Sequence, residues 1–168
     1  ITILFIMNLN HSPLRSGDAM KPLPHQQEIV DLGVLSAPGG CVLQLPTGAG
    51  KTWLAQHEIL RTLRNGYRAI YTTPLKAQAE ELLPRWRETF AEFKVGIFTG
   101  DYGQKHALPV SFDSADLLIM TPERLDACTR YWRSHWSWIP KIDALIIDEI
   151  HMLGDHRRGP RLEGALSR

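Results

Sequence analysis

Two short stretches of this chain could do chemistry, Pro46-Thr47-Gly48-Ala49-Gly50-Lys51-Thr52 and Asp148-Glu149. In the first, glycines let backbone amides reach phosphate oxygens with no Cβ in the way. Thr47, Gly48, Ala49 and Gly50 form that cradle, and a following helix would add its positive end. Lys51 supplies a mobile charge for the β- and γ-phosphates, and the Thr52 hydroxyl can join a magnesium shell. In the second stretch, Asp148 is placed to hold Mg2+, usually through water. Glu149 is the candidate base that orients and deprotonates an attacking water. Hydrolysis of a terminal phosphate needs both tasks done at one place. Taken singly, the first stretch could be a glycine turn capping a helix and the second a solvated strand end. Together they are specific. His151, two residues past the base, is either a reporter of ligand state or an ordinary packing histidine.

The elements that must hold these residues are legible as alternating patterns. Cys41–Leu45 is a short apolar run leading into the glycine loop, so it reads as a buried strand. Lys51–Arg64 reads as a helix stopped by Asn65-Gly66. Further strands are expected at Arg68–Thr73, Val95–Thr99, Asp116–Thr121 and Ile142–Asp148, and a helix at His25–Leu35. Leu75–Phe93 repeats apolar residues every three or four positions, with Pro84 expected to kink or split it. Strands alternating with helices predict an α/β fold with a mainly parallel sheet flanked by helices. Ligands of such sheets bind at the carboxyl ends of the strands, where both chemical stretches fall. Residues 1–20 read as a flexible tail and 21–168 as one domain.

Composition sets limits. The 168 residues are 43% hydrophobic and 22% charged, normal for a soluble globular chain. A net charge of +1 announces no basic nucleic-acid-binding surface, although backbone amides and a few arginines can hold phosphates without one. Cys41 and Cys128 are far apart with no CxxC neighbour, which points to free thiols in a reducing, cytoplasmic compartment. Ile1–Met7 is apolar but too short to span a bilayer, so no membrane partner is expected. Tyr131, Trp132, Trp136 and Trp138 cluster before the last strand; packing onto the sheet is favoured over base stacking. His106, His135 and His156 lack metal-ligand spacing.

Beyond the acidic pair the chain runs Asp148-Glu149-Ile150-His151-Met152-Leu153-Gly154-Asp155, then Arg158-Gly159-Pro160 and Leu162-Glu163. This resembles the superfamily 2 DExH-box helicases, and within them the Ski-like group, which reads DE-x-H-x-L, a short turn, then RG-x-x-LE. The general phosphate-loop pattern has a glycine where this chain has Leu45, but the helicase form [A/P]TGxGKT tolerates the change. The resemblance covers residues 23–168 in motif order. It implies an ATP-binding, P-loop domain of the RecA-like type, with ATP and Mg2+ as cofactors and DNA or RNA, as a single strand or fork, as partner. Gln26, in Pro24-His25-Gln26, would read the adenine edge, and His151 would couple nucleotide state to neighbouring elements. Thr73-Pro74, Thr99-Gly100 (ahead of Asp101) and Thr121-Pro122 with Arg124 would contact the nucleic-acid backbone.

That family carries a motif III strand soon after RG-x-x-LE, between the P-loop strand and the DExH strand. A second RecA-like domain with arginine fingers follows. Arg168 comes before either. The expectation is therefore a domain incomplete at its C-terminus, with two strand edges facing a gap, able to bind nucleotide weakly but not to unwind. The function expected of the full-length protein is ATP-dependent helicase activity. A duplex translocase or remodeller that does not separate strands remains open, as does an inactive nucleic-acid-binding fragment. A P-loop kinase or transporter ATPase is disfavoured by Thr121-Pro122-Glu123-Arg124 and by Arg158–Glu163.

Overall fold

The computed structural model describes residues 2–8, 22–37, 39–100, 114–131, 133 and 138–168. Asp101, His106, Trp132, His135, Trp136 and residues 9–21 lie outside the described residues. Six strands form one sheet in the order β2-β1-β6-β3-β5-β4. They are β1 (Thr2–Asn8), β2 (Cys41–Leu45), β3 (Arg68–Thr72), β4 (Val95–Phe98), β5 (Leu117–Met120) and β6 (Ile142–Asp148). The helices are α1 (Pro24–Asp31), α2 (Lys51–Arg64), α3 (Lys76–Thr89), α4 (Pro122–Arg130) and α5 (Gly159–Leu166).

The pairs β6–β3, β3–β5 and β5–β4 are parallel, and β1 is antiparallel to both of its neighbours. Strand β2 thus runs in the same direction as β3–β6, which is the mainly parallel α/β sheet expected. The central strands are buried on both faces, and period-two alternation sorts their side chains. Ala69, Tyr71, Leu117, Ile119, Ala144 and Ile146 join Leu54, Ile59 and Trp86 of α2 and α3 in one core. Ile70, Leu118, Met120, Leu145 and Ile147 join Leu125 of α4 and Leu162 of α5 on the other face. Each fully buried Leu or Ile in these layers contributes roughly 1.5–3 kcal/mol.

Three expectations change. The tail predicted for residues 1–20 contains a strand over Thr2–Asn8. It occupies the place between the P-loop strand and the acidic strand, so the expected gap is filled. Run length alone does not reveal this, because the strand is stabilised by partners some 40 and 140 positions away. Pro84 neither splits nor ends α3, which continues through it. The first helix stops at Asp31, because Gly33 takes φ 66°; Val34–Ser36 then forms a separate 3-10 turn. Among the described residues, no helix is long and apolar enough to cross a membrane.

Candidate functional site

Because β2 to β6 share a direction, their carboxyl ends lie along one edge of the sheet. The P-loop follows β2, Thr73 follows β3, Thr99-Gly100 follows β4, Thr121 follows β5, and Asp148-Glu149 closes β6. That edge is where an open α/β sheet binds ligands.

The loop folds as its composition requires. Gly48 and Gly50 hold φ of 82° and 79°, a region that side chains rarely adopt. A Cβ on Gly50 would stand 1.8 Å from Gln26 Nε2. Ala49 N–H donates to Pro46 O at 3.2 Å, closing the turn. Helix α2 begins directly at Lys51 with no acidic residue in its first turn, so nothing there neutralises its positive end. Thr52 is exposed on that turn.

Lys51 Nζ donates to Asp148 Oδ1 at 2.5 Å and to Glu149 Oε1 at 2.8 Å. The two stretches singled out in the sequence, 97 residues apart, therefore meet. All three side chains are largely buried, between 15% and 22% exposed. Glu149 adopts φ 60°, ψ 51° and is the one non-glycine residue at positive φ among the described residues. Such a conformation costs on the order of 1–3 kcal/mol and clusters at functional sites. His151 Nδ1 lies 3.1 Å from Glu149 Oε2, with its ring mostly exposed.

Two carboxylates against one ammonium leave the cluster one negative charge in excess. Its donors are hard oxygens: the Asp148 carboxylate and, on the adjoining helix turn, the Thr52 hydroxyl. That set fits Mg2+, which takes one or two carboxylates and completes its shell with water and phosphate.

Sequence reasoning missed three participants. Tyr71 donates its hydroxyl to Asp148 Oδ2 at 3.0 Å from the neighbouring strand β3. Burial first, and the adjacent Asp148 second, push its pKa well above the ordinary tyrosine range, so it remains a donor. His25 Nε2 bonds the Ala49 carbonyl at 2.9 Å. Arg158, quoted above only as part of the RG-x-x-LE resemblance, has Nε 3.2 Å from Glu123 Oε1. No local spacing announces any of these contacts.

Gln26 is 3% exposed. Its Oε1 accepts the Leu23 N–H at 2.8 Å, while Nε2 points at the Ala49 and Gly50 carbonyls at 3.4 Å. Here the amide ties the start of α1 to the P-loop. Along the rest of the edge, Thr73 is buried and its hydroxyl donates to Gln78 Oε1 at 2.7 Å. Pro74 is half-buried beside it. Thr99 is fully buried, and its hydroxyl oxygen has no hydrogen-bond partner among the described residues. Thr121 and Pro122 are buried at the start of α4. Arg124 donates to the exposed Gly100 carbonyl at 2.5 Å and lies over the Phe98 ring, joining the β4 and β5 strand ends.

Fold and site together define a P-loop nucleotide-binding domain of the RecA-like type. The chain belongs to the DEAD/DEAH box helicase family, which it matches over residues 23–168. It is 36% identical over 144 residues to the ATP-dependent DNA helicase Hel308 of Pyrococcus horikoshii, covering 83% of this chain and 19% of that protein. It is 32% identical over 152 residues to the Hel308 of Methanocella arvoryzae, covering 86% of this chain and 20% of that protein. Activating signal cointegrator 1 complex subunit 3 of Gallus gallus is 41% identical over 133 residues, covering 76% of this chain and 6% of that protein. The chain thus spans about a fifth or less of the length of these relatives.

Proposed function

We propose that this domain binds ATP with Mg2+ and hydrolyses it to ADP and phosphate, powering helicase movement along nucleic acid. The observation that carries the reading is the Lys51–Asp148–Glu149 cluster, held at 2.5 and 2.8 Å at the mouth of a glycine loop. Lys51 leaves the carboxylates to meet the β- and γ-phosphates, whose negative charge replaces theirs. The amides of Thr47 to Gly50 and the end of α2 cradle the phosphate chain. Mg2+, held from Asp148 and Thr52, would neutralise charge developing on the phosphate oxygens. Glu149, released by Lys51, takes a proton from the attacking water; the γ-phosphorus gains that oxygen and loses its bond to the β–γ bridging oxygen. His151, within bonding distance of Glu149, passes that change to neighbouring elements.

Gln26 sits next to the loop and would read the adenine by giving up the contacts its amide now makes with Leu23, Ala49 and Gly50. Thr73, Pro74, Thr99, Gly100, Thr121, Pro122 and Arg124 would form the nucleic-acid edge with a second RecA-like domain in the longer protein. Because Thr73, Thr99 and Thr121 are buried, main-chain amides and Arg124 carry that contact better than the threonine hydroxyls do. DNA is the favoured nucleic acid, since the Pyrococcus horikoshii and Methanocella arvoryzae relatives are named DNA helicases. A reducing, cytoplasmic compartment fits Cys41 and Cys128, which lie far apart in the chain with no CxxC neighbour.

Titration of the chain with a fluorescent ATP analogue and MgCl2, beside Lys51→Ala, tests the reading. Saturable binding lost in the folded variant is expected. Identical binding by both proteins, or none by the folded wild type, would sink the ATP site.

A further inference from the structure

Asp148 has two oxygens in different situations. Oδ1 is held by Lys51 and Oδ2 by Tyr71, and the two donors belong to different elements. In the proposed cycle Lys51 moves to phosphate, and Oδ1 is then released. Tyr71 has no comparable freedom. Its ring is 2% exposed and packs edge-on against Trp86, with centroids 4.6 Å apart; Trp86 packs in turn on Phe90 at 5.7 Å. On the sheet, Tyr71 lies opposite Ile146, which shares a face with Asp148 two residues on. A ring fixed by the core of α3 thus delivers its hydroxyl to the end of the next strand.

We propose that Tyr71 is the positioning residue for magnesium: its hydroxyl ties down Asp148 Oδ2 and turns Oδ1, the oxygen Lys51 vacates, toward the cation. The inference rests on the ATP-site reading and adds to it a residue from outside the two motifs. A partner that orients a metal-holding carboxylate typically governs metal affinity by 10- to 100-fold. The hydroxyl acts through Asp148, whose other partner is Lys51, so its removal is expected to change magnesium affinity more than nucleotide affinity without magnesium.

The test is a MgCl2 titration of fluorescent ATP-analogue binding to the full chain. Tyr71→Phe keeps the ring and its contact with Trp86. It is expected to raise the half-saturating Mg2+ concentration about tenfold, with magnesium-free binding and melting temperature near wild type. In an Asp148→Asn background the same change is expected to have no effect. An unchanged Mg2+ dependence in folded Tyr71→Phe, with wild type binding normally, overturns the proposal and leaves the ATP site standing. Absence of Lys51-dependent binding in wild type overturns both. If Tyr71→Phe does not fold, site-specific 3-fluorotyrosine at this position, a stronger donor, must lower the Mg2+ requirement; no shift overturns the proposal.

Discussion

Arg158 Nε lies 3.2 Å from Glu123 Oε1, joining the segment that follows the acidic pair to the first turn of α4. Arg158 also reaches Met152 Sδ at 3.9 Å, within the 3-10 turn that leaves Glu149. The next residue after Glu123, Arg124, holds Gly100. A continuous set of contacts therefore runs from the nucleotide end of β6 to the ends of β5 and β4. The pair is about one-third exposed on each side, so its direct contribution is under about 1 kcal/mol. Arg158→Glu and Glu123→Arg should each lower the melting temperature by a few degrees, given roughly 2–4 °C per kcal/mol in a chain of this size. The double reversal should recover most of the loss. A double variant as unstable as the sum of the singles would show that the two side chains do not interact.

Glu149→Gln keeps the shape of the side chain, and its amide oxygen can still accept from Lys51. It cannot take a proton from water. Phosphate release by the full-length protein should fall about 10²- to 10⁴-fold, while binding of the ATP analogue stays within a few-fold of wild type. Undiminished turnover would remove Glu149 from its role as base.

Gly159 opens α5 with no room for a side chain: a Cβ there would lie 2.1 Å from the Leu153 carbonyl oxygen and 2.9 Å from its carbon. That neighbour is backbone, so the turn between Glu149 and α5 must move. Gly159→Ala should cost about 1–3 kcal/mol, as overpacking does, and lower the melting temperature by several degrees. Gly154, five residues earlier, has open space around its Cβ position. Gly154→Ala is the control and should melt within about 2 °C of wild type, as a helix-end glycine loses little on replacement.

Glu58 is fully buried on α2 and hydrogen-bonded to Arg61. Burial pushes its carboxyl above the ordinary glutamate range, outweighing the pull of Arg61, and Asp143 adds to the rise. The folded state thus binds this proton more tightly than the unfolded chain. The stability it contributes is complete below the ordinary glutamate value and is lost as pH rises through the raised one. His57, lowered by burial and by Arg61, works the other way: its contribution is present above the ordinary histidine value and is lost as pH falls. The difference in melting temperature between wild type and Glu58→Gln isolates the first effect. Wild type should lose ground to the variant as pH rises from the glutamate range toward neutrality. A difference independent of pH would contradict the assignment.

What the sequence disclosed were features whose parts are contiguous. The P-loop, the acidic pair, five strands and three main helices are written in neighbouring residues, as apolar runs, glycine placement and spacing. Even the meeting of Lys51 with Asp148 was foreseeable, because a parallel sheet brings its strand ends to one edge. Tyr71, His25 and the pairing of Arg158 with Glu123 stayed hidden because each acts through a partner fixed by strand register or helix packing. Thr73 carries the same lesson in reverse. Its motif implied a nucleic-acid contact but not that the side chain would be buried where its N–H donates to the Met120 carbonyl at 3.0 Å. Thr2–Asn8 was read as part of a tail because a short apolar run ahead of a polar, Pro- and Gly-containing segment does not by itself say that it joins a sheet.

That N-terminal strand has a metric consequence. Leu4 pairs with Leu43 of the P-loop strand on one side and with Asp148 on the other. Among the described strands β2 bonds to no other, so the height of the phosphate loop relative to the acidic pair is gauged along β1. A slip of one residue would carry Ile6, which is fully buried, out of the core. A slip of two would preserve the faces but carry the loop about 7 Å along the strand direction, beyond the reach of Lys51. Seven residues that hold no catalytic group therefore act as the spacer that sets the distance between the charge that binds phosphate and the carboxylate that reacts beside it.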